Sequence, residues 1–525
     1  MIHTSGGIQM LKKGIVKATQ AFTLVVAGFL LVWMLAASWF VEWDSSLKLT
    51  TGVIISSSLM VIAILALVIG GSYWLTKKNT SWLIGSFVGL TLLKLPLVAW
   101  LPIKPTSDFW NYHTLAAFNA QGLTWHHLLE RGDLGNYVIF PHALNIANFF
   151  SFSVALAGNN FFVSQLINIS CTFIDMLLIY WLVSRWLSRR LGIVASLIFY
   201  CIPAYWIYST LLNGAEPFFV TCVLITMLTL TKAFAPLPTA TTNDQWINLI
   251  FAWVATVAAN MVRPIMAVWL IALVIFTIIL MLQSVEPLRQ HSKQLLIYFA
   301  ATLIFLISST GIYSWLYGFQ VAPNNVAVGY SLATGTSAKT KGTYNPHIAK
   351  QVAKELKVDP NLETSYPRIA KTMASDIQDN LTELQGRAVP FMNQKMQGLM
   401  SEDYGYNWVL YDLSSAKANR KKNKAWYQGR AFLTITSYSY FQAMLMVAIV
   451  SVLLGLWLLF KTSYLNNYYF YSALLLDGFT ISSLFLEVQG RYHVIIYLPI
   501  IFIIICGVAV GLQLVYKSWH TKQVA

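Results

Sequence analysis

Charge is scarce in this chain, and acidic charge is the scarcest. Only 10% of the 525 residues are charged, whereas 57% are hydrophobic and 14% are aromatic. A soluble domain of this length needs more polar surface, so the composition excludes that class and indicates a polytopic helical membrane protein. The 35 Lys and Arg outnumber the 20 Asp and Glu. Because no compact basic domain collects them, they indicate cytoplasmic loops and membrane lipids rather than a nucleic-acid partner.

Cysteine and metal-ligand patterns are also sparse. The four cysteines all fall inside apolar runs, at Cys171, Cys201, Cys222 and Cys506. This placement predicts small buried side chains, without a disulfide framework or a CxxC metal pattern. The spacing His126-His127-x-x-Glu130 matches no established ligand pattern closely, so neither a metal site nor a cofactor is predicted, although a divalent metal remains open. There is no internal repeat of the kind common in secondary transporters.

Long apolar runs dominate what the chain does contain. About twelve of them approach the length of roughly 20 residues that crosses a hydrocarbon core. They lie at 21–42, 50–75, 82–101, 160–183, 190–212, 214–232, 246–261, 265–283, 294–317, 437–460, 467–486 and 492–516. Lys and Arg in the short connections place both termini in the cytoplasm of a multi-pass plasma-membrane protein. This count closes only if 137–157 lies on the outer surface, so the prediction is about 11–13 spans.

Four regions follow from this topology. Residues 1–81 form an N-terminal two-span segment, and 82–317 form a transmembrane core whose first outer loop is 102–159. A long extracytoplasmic loop or small domain occupies 318–436, and 437–525 form a C-terminal three-span segment. The basic run 420–424 is predicted to be a solvated face near anionic headgroups.

Acids and arginines that are far apart in the sequence converge on the predicted outer face. Asp108 follows an apolar run and is flanked by aromatic residues, which indicates chemistry at the lipid–water boundary. Arg263 and Arg491 lie at span ends, and a guanidinium fork matches the oxygens of a phosphate. Asp108 is placed to take a proton from an acceptor hydroxyl. Further candidates, for contact with the acceptor or for support of these groups, are Glu216, Glu487, His142, Lys104 and Tyr492.

Several charged residues also have a structural interpretation. Glu487 and Arg491 are four residues apart at a span boundary, a spacing that favours an ion pair. Lys94 lies near the outer end of the third span and is expected to snorkel to the surface. Asp175 and Asp477 lie within spans, and each needs a partner. A structural hydrogen bond to a neighbouring helix explains them at least as well as a catalytic role does.

This pattern resembles the GT-C superfamily of membrane glycosyltransferases, which includes the protein O-mannosyltransferases and the aminoarabinose transferases of lipid A. The similar stretches are 107–109, 132–145, 157–160, 213–217 and 487–493. The resemblance implies a GT-C-like helical fold with outer surface helices and the transfer of one sugar, with inversion, from a polyprenyl-phosphate donor. It also implies that Asp108 is the catalytic base and that Arg491 and Arg263 contact the phosphate. The superfamily's common Asp-Glu pair is absent, because Phe109 follows Asp108.

Two other functions remain open at this point. A polysaccharide polymerase or ligase would have its essential arginines or histidines in the long segment, whereas a single-sugar transferase requires Asp108. A transporter or flippase of lipid-linked saccharides would use charged sites near the midplane, for which Asp175 and Asp477 are the candidates. The acceptor outside the cytoplasm is equally open: a cell-surface glycan, a teichoic acid, a lipid or a protein.

Overall fold

The computed structural model is helical throughout the residues it describes, which are 3–40, 50–101, 103–234, 241–285, 291–400, 409, 424–462 and 465–524. No strand occurs within those ranges. In chain order the α-helices are α1 (His3–Trp39), α2 (Thr51–Thr76), α3 (Thr80–Leu92), α4 (Leu95–Trp100), α5 (Ser107–Ala120), α6 (Trp125–Glu130), α7 (Pro141–Ala157), α8 (Phe161–Trp186), α9 (Arg189–Tyr200), α10 (Pro203–Leu211), α11 (Glu216–Phe234), α12 (Thr242–Val262), α13 (Met266–Leu282), α14 (Ser292–Tyr317), α15 (Asn324–Thr336), α16 (Pro346–Val358), α17 (Leu362–Glu383), α18 (Ala388–Met400), α19 (Lys424–Lys461), α20 (Asn467–Phe485) and α21 (Val494–Val524).

The prediction of a polytopic helical membrane protein is confirmed. Within the described ranges, nine helices are long and apolar enough to cross a membrane, and α9 with α10 makes a tenth if that bent pair is one span. Helix α13 is apolar but shorter, and α20 coincides with a further predicted span. The total of about twelve therefore stays a prediction. Helix α7, which covers most of the stretch expected on the surface, is not among the candidate spans.

The C-terminal helix is the centre of the bundle. In the candidate span Gly490–Leu514, 78% of the apolar window is buried, against 17% for Thr51–Thr76 at the periphery. A helix that is apolar on all sides is expected in such a central position. Helix α21 packs against α9, α19 and α20, and α1 packs against α19 and α20 in turn. The two ends of the chain thus share one core, and α21 positions its first residues from the middle of that core.

Two helices are broken within the bundle, and a buried lysine lies at one break. Helix α3 gives way to α4 at Lys94, and α9 meets α10 at an angle of 66° just before Pro203. The expectation that Lys94 snorkels is wrong, because its side chain is fully buried. Its Nζ donates to Ser209 Oγ at 2.8 Å and to Thr172 Oγ1 at 3.2 Å. The lysine therefore ties the first break to α10 and α8, where irregular backbone is shielded from lipid.

The two intramembrane aspartates differ in their surroundings. Asp175 accepts hydrogen bonds from Thr221 at 2.5 Å and from Tyr205 at 3.4 Å, on α11 and α10. This is the structural hydrogen bonding between helices that the sequence suggested. Asp477 is buried, and its Oδ1 has no hydrogen-bond partner among the described residues.

Helices α15–α17 form a separate layer on the bundle, and α18 leads back to the main core, to which Met396 and Leu399 belong. Helices α15–α17 share a hydrophobic cluster with residues of α5 to α7 and with the end of α14, and Tyr330, Val352 and Ile369 contribute to it. Asn136 donates to the Ala349 carbonyl at 3.1 Å, and Tyr366 donates to the Gln320 carbonyl at 3.0 Å. The α15–α18 segment therefore lies on the loop that follows Asp108. The basic run 420–424 falls largely outside the described residues.

The closest approach between α19 and α21 depends on a glycine. A Cβ at Gly507 would lie 2.3 Å from the Ser451 side chain and 2.7 Å from its Cα. Four residues later, a Cβ at Gly511 would meet Leu454 Cδ1 at 4.0 Å, an ordinary contact. Small residues at such crossings allow membrane helices to pack backbone to backbone.

We therefore predict that Gly507→Ala destabilises the protein by about 1–3 kcal/mol through overpacking. Gly511→Ala on the same helix should be neutral or slightly stabilising, because alanine restricts the unfolded chain. The measurement is thermal unfolding in detergent. Equal Tm values for the two variants would contradict the packing described here.

Candidate active site

Asp108 occupies the first turn of α5, directly after a strained residue. Ser107 has a φ of +51°, in the left-handed region that a residue with a Cβ rarely adopts. Such conformations persist only where the surrounding structure enforces them, and they concentrate at functional sites. An acid in the first turn also interacts favourably with the positive end of the helix dipole. Local structure therefore fixes the carboxylate at the start of α5.

The carboxylate of Asp108 is held by residues from three parts of the chain. Arg491, which is 383 residues away in the sequence, donates from Nη2 to Asp108 Oδ2 at 2.7 Å. Tyr137 donates its hydroxyl hydrogen to Oδ1 at 3.2 Å, and Asn111 donates to the Tyr137 oxygen at 2.5 Å. The Asp108 side chain is 32% exposed and that of Arg491 is 7% exposed. The acid thus faces open space, while the arginine is buried behind it.

A second ion pair lies beside the first. Arg263, at the end of α12, donates to Glu216, the first residue of α11, and Tyr208 of α10 donates to the same carboxylate. Arg263 and Arg491 both lie near the ring of Tyr492, with 5.3 and 5.5 Å between the guanidinium carbons and the ring centre. Tyr492 therefore lies close to both cations, and its π face stabilises their charge.

Buried amides hold the backbone of this site in place. Asn213 donates to the Phe109 carbonyl at 3.1 Å, which links the turn before α11 to the start of α5. Asn168 of α8 donates to the carbonyls of Leu212 and Gly214, and Asn145 of α7 donates to the Met261 carbonyl. The Leu212 and Met261 carbonyls lie at the C-terminal ends of α10 and α12, where the backbone has no partner within the helix. The site consists of helix ends that side chains tie together.

Electrostatics keep Asp108 ionised. Burial raises the pKa of its carboxyl, but the charge and hydrogen bond of Arg491, together with the Tyr137 hydrogen bond, lower it by more. The pKa therefore lies below its usual value, and the group is a carboxylate at neutral pH. For Arg263, burial lowers the pKa, but Glu216 together with Tyr492 and Tyr112 raises it by more, so this guanidinium stays charged.

The remaining predicted residues surround the two ion pairs in different ways. Burial, reinforced by Arg263, lowers the pKa of His142 to about 3, so its imidazole is neutral. Glu487 accepts a hydrogen bond from Gln489 at 2.5 Å, and Arg491 pairs with Asp108. The predicted ion pair between Glu487 and Arg491 is therefore wrong. Burial, as the largest effect, raises the pKa of Glu487. Lys104 is exposed, and its ammonium lies 5.4 Å from the Trp110 ring.

Sequence reasoning missed the aromatic and amide groups that complete the site. In the sequence, Tyr137 falls in the apolar stretch 137–157 and Tyr208 in the predicted span 190–212, so neither stands out as a site residue. Asn111 stands three residues after Asp108, on the same face of α5, and that spacing was a usable signal. The contacts of Tyr137 and Tyr208 come from distant elements, so no local pattern indicates them. Among the described residues, no group of three or more His, Cys, Asp or Glu is placed to hold a metal ion.

Comparisons with known proteins concern the family and the fold of the chain. Residues 141–315 match the family model described as dolichyl-phosphate-mannose-protein mannosyltransferase, which covers a third of the chain. No curated protein matches. A crystal structure of ArnT from Cupriavidus metallidurans bound to undecaprenyl phosphate covers 83% of this chain and 78% of its own, at 12% identity and a TM-score of 0.35. That structural similarity is low.

The family match and the apolar helical bundle confirm the superfamily predicted from the sequence. The protein O-mannosyltransferases are GT-C enzymes, and the matched residues run from α7 into α14, which includes Glu216 and Arg263. The chain is a polytopic helical membrane protein in which the segment from α7 into α14 is similar to the GT-C glycosyltransferases.

The turn before α11 offers a direct test of the second ion pair. A Cβ at Gly214 would lie 1.6 Å from the Tyr208 hydroxyl oxygen and 2.5 Å from Glu216 Oε2. Gly214→Ala must therefore displace one or both groups, and we predict a loss of activity of about 10²-fold, as a misplacement near 1 Å can cause. Gly311→Ala, where a Cβ meets nothing within 4 Å, is the control. Glycosyl transfer by the two variants at equal expression is the measurement, and equal rates would contradict this placement.

Proposed function

We propose that this glycosyltransferase moves a single sugar from a polyprenyl-phosphate donor to an acceptor outside the cytoplasm, with Asp108 as the base. The observation that carries the proposal is the pairing of Asp108 with Arg491 beside Arg263 and Glu216. A carboxylate that faces open space next to two buried guanidinium groups suits the deprotonation of a hydroxyl beside a departing phosphate. The description of the matching family names a dolichyl-phosphate sugar as donor, which supports the same donor class here.

The chemical step balances with the groups in the cluster. The acceptor oxygen attacks the anomeric carbon while the bond from that carbon to the phosphate oxygen breaks. Asp108 takes the proton of the acceptor hydroxyl, and the phosphate leaves on its lipid with the bonding electrons. The attack from the side opposite the leaving group inverts the anomeric configuration. Most of the stabilisation comes from the arginines, since negative charge grows on the departing phosphate.

Both arginines can bind the donor phosphate, although each is already paired with a carboxylate. Both form ion pairs with carboxylates, so a donor phosphate competes with Asp108 for Arg491 and with Glu216 for Arg263. The Nε of Arg491 is buried and has no hydrogen-bond partner among the described residues. A phosphate oxygen that binds there would accept a hydrogen bond from this N–H group. A buried donor without such a bond costs free energy. Donor binding would then free Asp108 from its strongest partner, at the moment when it must accept a proton.

The other residues have supporting roles in this proposal. Glu216 keeps Arg263 in place, the Tyr492 ring stabilises the charge of both guanidinium groups, and neutral His142 is available for hydrogen bonding to the acceptor. Glu487 and the exposed Lys104 are proposed acceptor contacts. The contacts of Asp175 are accounted for by helix packing, which leaves the transporter alternative with less support.

The decisive test is Asp108→Asn, which keeps the size of the side chain and removes the base. We expect transfer to fall by about 10²–10⁴-fold, the usual contribution of a positioned base. The readout is mass spectrometry of a surface glycan whose formation depends on the wild-type protein. Asp133→Asn is a matched control, because this acid lies in the same loop and pairs with Arg131 at 3.0 Å, away from the cluster. An unchanged glycan in stably inserted Asp108→Asn would end the base assignment.

A pH profile tests the competition for Arg491. In the free enzyme Arg491 lowers the pKa of Asp108, so the acid limb of kcat/KM should lie below the usual range of a carboxyl group. In the donor complex the phosphate takes part of that interaction, so the acid limb of kcat should lie at higher pH. Activity is lost on both limbs as pH falls and the base becomes protonated. Coincident limbs would contradict the release of Asp108 by the donor.

A further inference from the structure

A buried ammonium joins the α15–α18 segment to the turn that carries Arg491. Lys395 of α18 is fully buried, and its Nζ donates to the Gly335 carbonyl at 2.6 Å and to the Leu486 carbonyl at 2.7 Å. Gly335 lies in the last turn of α15, and Leu486 is the residue that caps the end of α20. Carbonyls at helix C-termini have no partner within the helix and carry partial negative charge. A single cation therefore satisfies the ends of two helices.

The two parts meet in close backbone contact around this lysine. A Cβ at Gly335 would lie 2.4 Å from the carbonyl carbon of Leu486, so only glycine allows the approach. The Val488 amide donates to the Gly342 carbonyl at 2.9 Å. Gly342 has a φ of +73°, and a Cβ there would lie 2.8 Å from Lys395 Cε. We call this contact of Gly335, Gly342 and Lys395 with residues 486–488 the joint.

The joint lies immediately before the functional arginine. A short 3₁₀ helix, Gly490–His493, contains Arg491 and leads into α21. On its far side, His493 Nδ1 lies 3.0 Å from the Leu399 carbonyl oxygen of α18. Helix α18 therefore holds the backbone on both sides of Arg491, through Lys395 and through Leu399.

We propose that Lys395 is a positioning residue, which holds the turn of Arg491 where its guanidinium can bind the donor phosphate. The inference rests on the proposed function of Arg491. Burial of an ammonium is unfavourable unless its hydrogen bonds are made, and here they are made to two carbonyls of the two parts. Without the ammonium, both carbonyls lose a partner inside a contact too close for water to replace it. The turn is then free to shift, and a shift of about 1 Å is enough to impair a phosphate site.

The primary variant is Lys395→Met, which keeps an unbranched side chain of similar length and removes the donors. Hydrogen exchange at the Val488 amide, measured by mass spectrometry of peptides spanning 486–490, reports directly on the joint. Binding of undecaprenyl phosphate to purified protein reports on the phosphate site. We expect faster exchange at Val488 and about tenfold weaker binding, the equivalent of ~1.4 kcal/mol. With the natural donor, kcat/KM should fall through a higher KM and a lower kcat, because a displaced Arg491 stabilises less of the charge that grows on the departing phosphate.

Matched variants separate positioning from general damage. Lys371→Met alters an exposed lysine on α17 and should leave exchange and binding at wild-type values. Gly335→Ala introduces a Cβ that pushes the backbone at Leu486 away from α15, and it should reproduce the phenotype of Lys395→Met. Gly329→Ala on the same helix places a Cβ at an ordinary 3.4 Å from Met373 and serves as its control. If Lys395→Met fails to fold, Gly335→Ala carries the test alone.

The outcomes distinguish this inference from the function it builds on. Unchanged exchange at Val488, or faster exchange with unchanged binding, overturns the positioning role, whereas Arg491→Gln would still weaken binding. If Lys395→Met weakens binding and Arg491→Gln does not, the phosphate assignment of Arg491 fails and positioning fails with it. If the wild-type protein binds no undecaprenyl phosphate or longer dolichyl phosphate, the proposed donor class is wrong and the inference is overturned too.

Discussion

The arrangement of the site depends on one ion pair between the beginning and the end of the bundle. Asp108 and Arg491 are 383 residues apart, and their 2.7 Å contact links α5 to the turn that opens α21. A buried guanidinium without a counter-charge is strongly unfavourable, so the pair constrains where both elements lie. The second pair, Arg263 with Glu216, does the same for α12 and α11. Each functional group is therefore also a structural tie, and neither can be moved without disturbing its partner.

This double use has a chemical cost and a chemical benefit. Under the proposed function, the arginines are paired with carboxylates when no donor is bound, so competition reduces their affinity for phosphate. In exchange, Asp108 would remain ionised and oriented until a phosphate competes for its partner. The Tyr492 ring lies near both guanidinium groups, at 5.3 and 5.5 Å from their carbons. The site is thus organised before the substrate arrives, which lowers the reorganisation that the reaction requires.

The sequence was sufficient for the helical membrane class and for the convergence of Asp108, Arg263, Glu216 and Arg491. Those residues could be found because charge is rare in this chain, and rare charge at span ends is informative. The partners could not be predicted. The spacing favours Glu487 as the partner of Arg491, but the actual partner, Asp108, lies across the bundle. The position of Lys94 favours the membrane surface, but its ammonium donates to buried hydroxyls of α8 and α10. Tertiary contacts determine the partners of both Arg491 and Lys94, and local sequence patterns carry no information about such contacts.

The four charged residues of the two ion pairs all lie at the ends of helices. Asp108 lies in the first turn of α5, and Glu216 is the first residue of α11. Arg263 caps the C-terminal end of α12, and Arg491 lies just before α21. The interiors of the spans face lipid or one another, where many apolar side chains serve equally well. Over evolutionary time the interiors are free to drift, while a few short stretches at the ends are held by chemistry. Distant relatives of such an enzyme should therefore share brief motifs, separated by segments in which little beyond hydrophobicity persists.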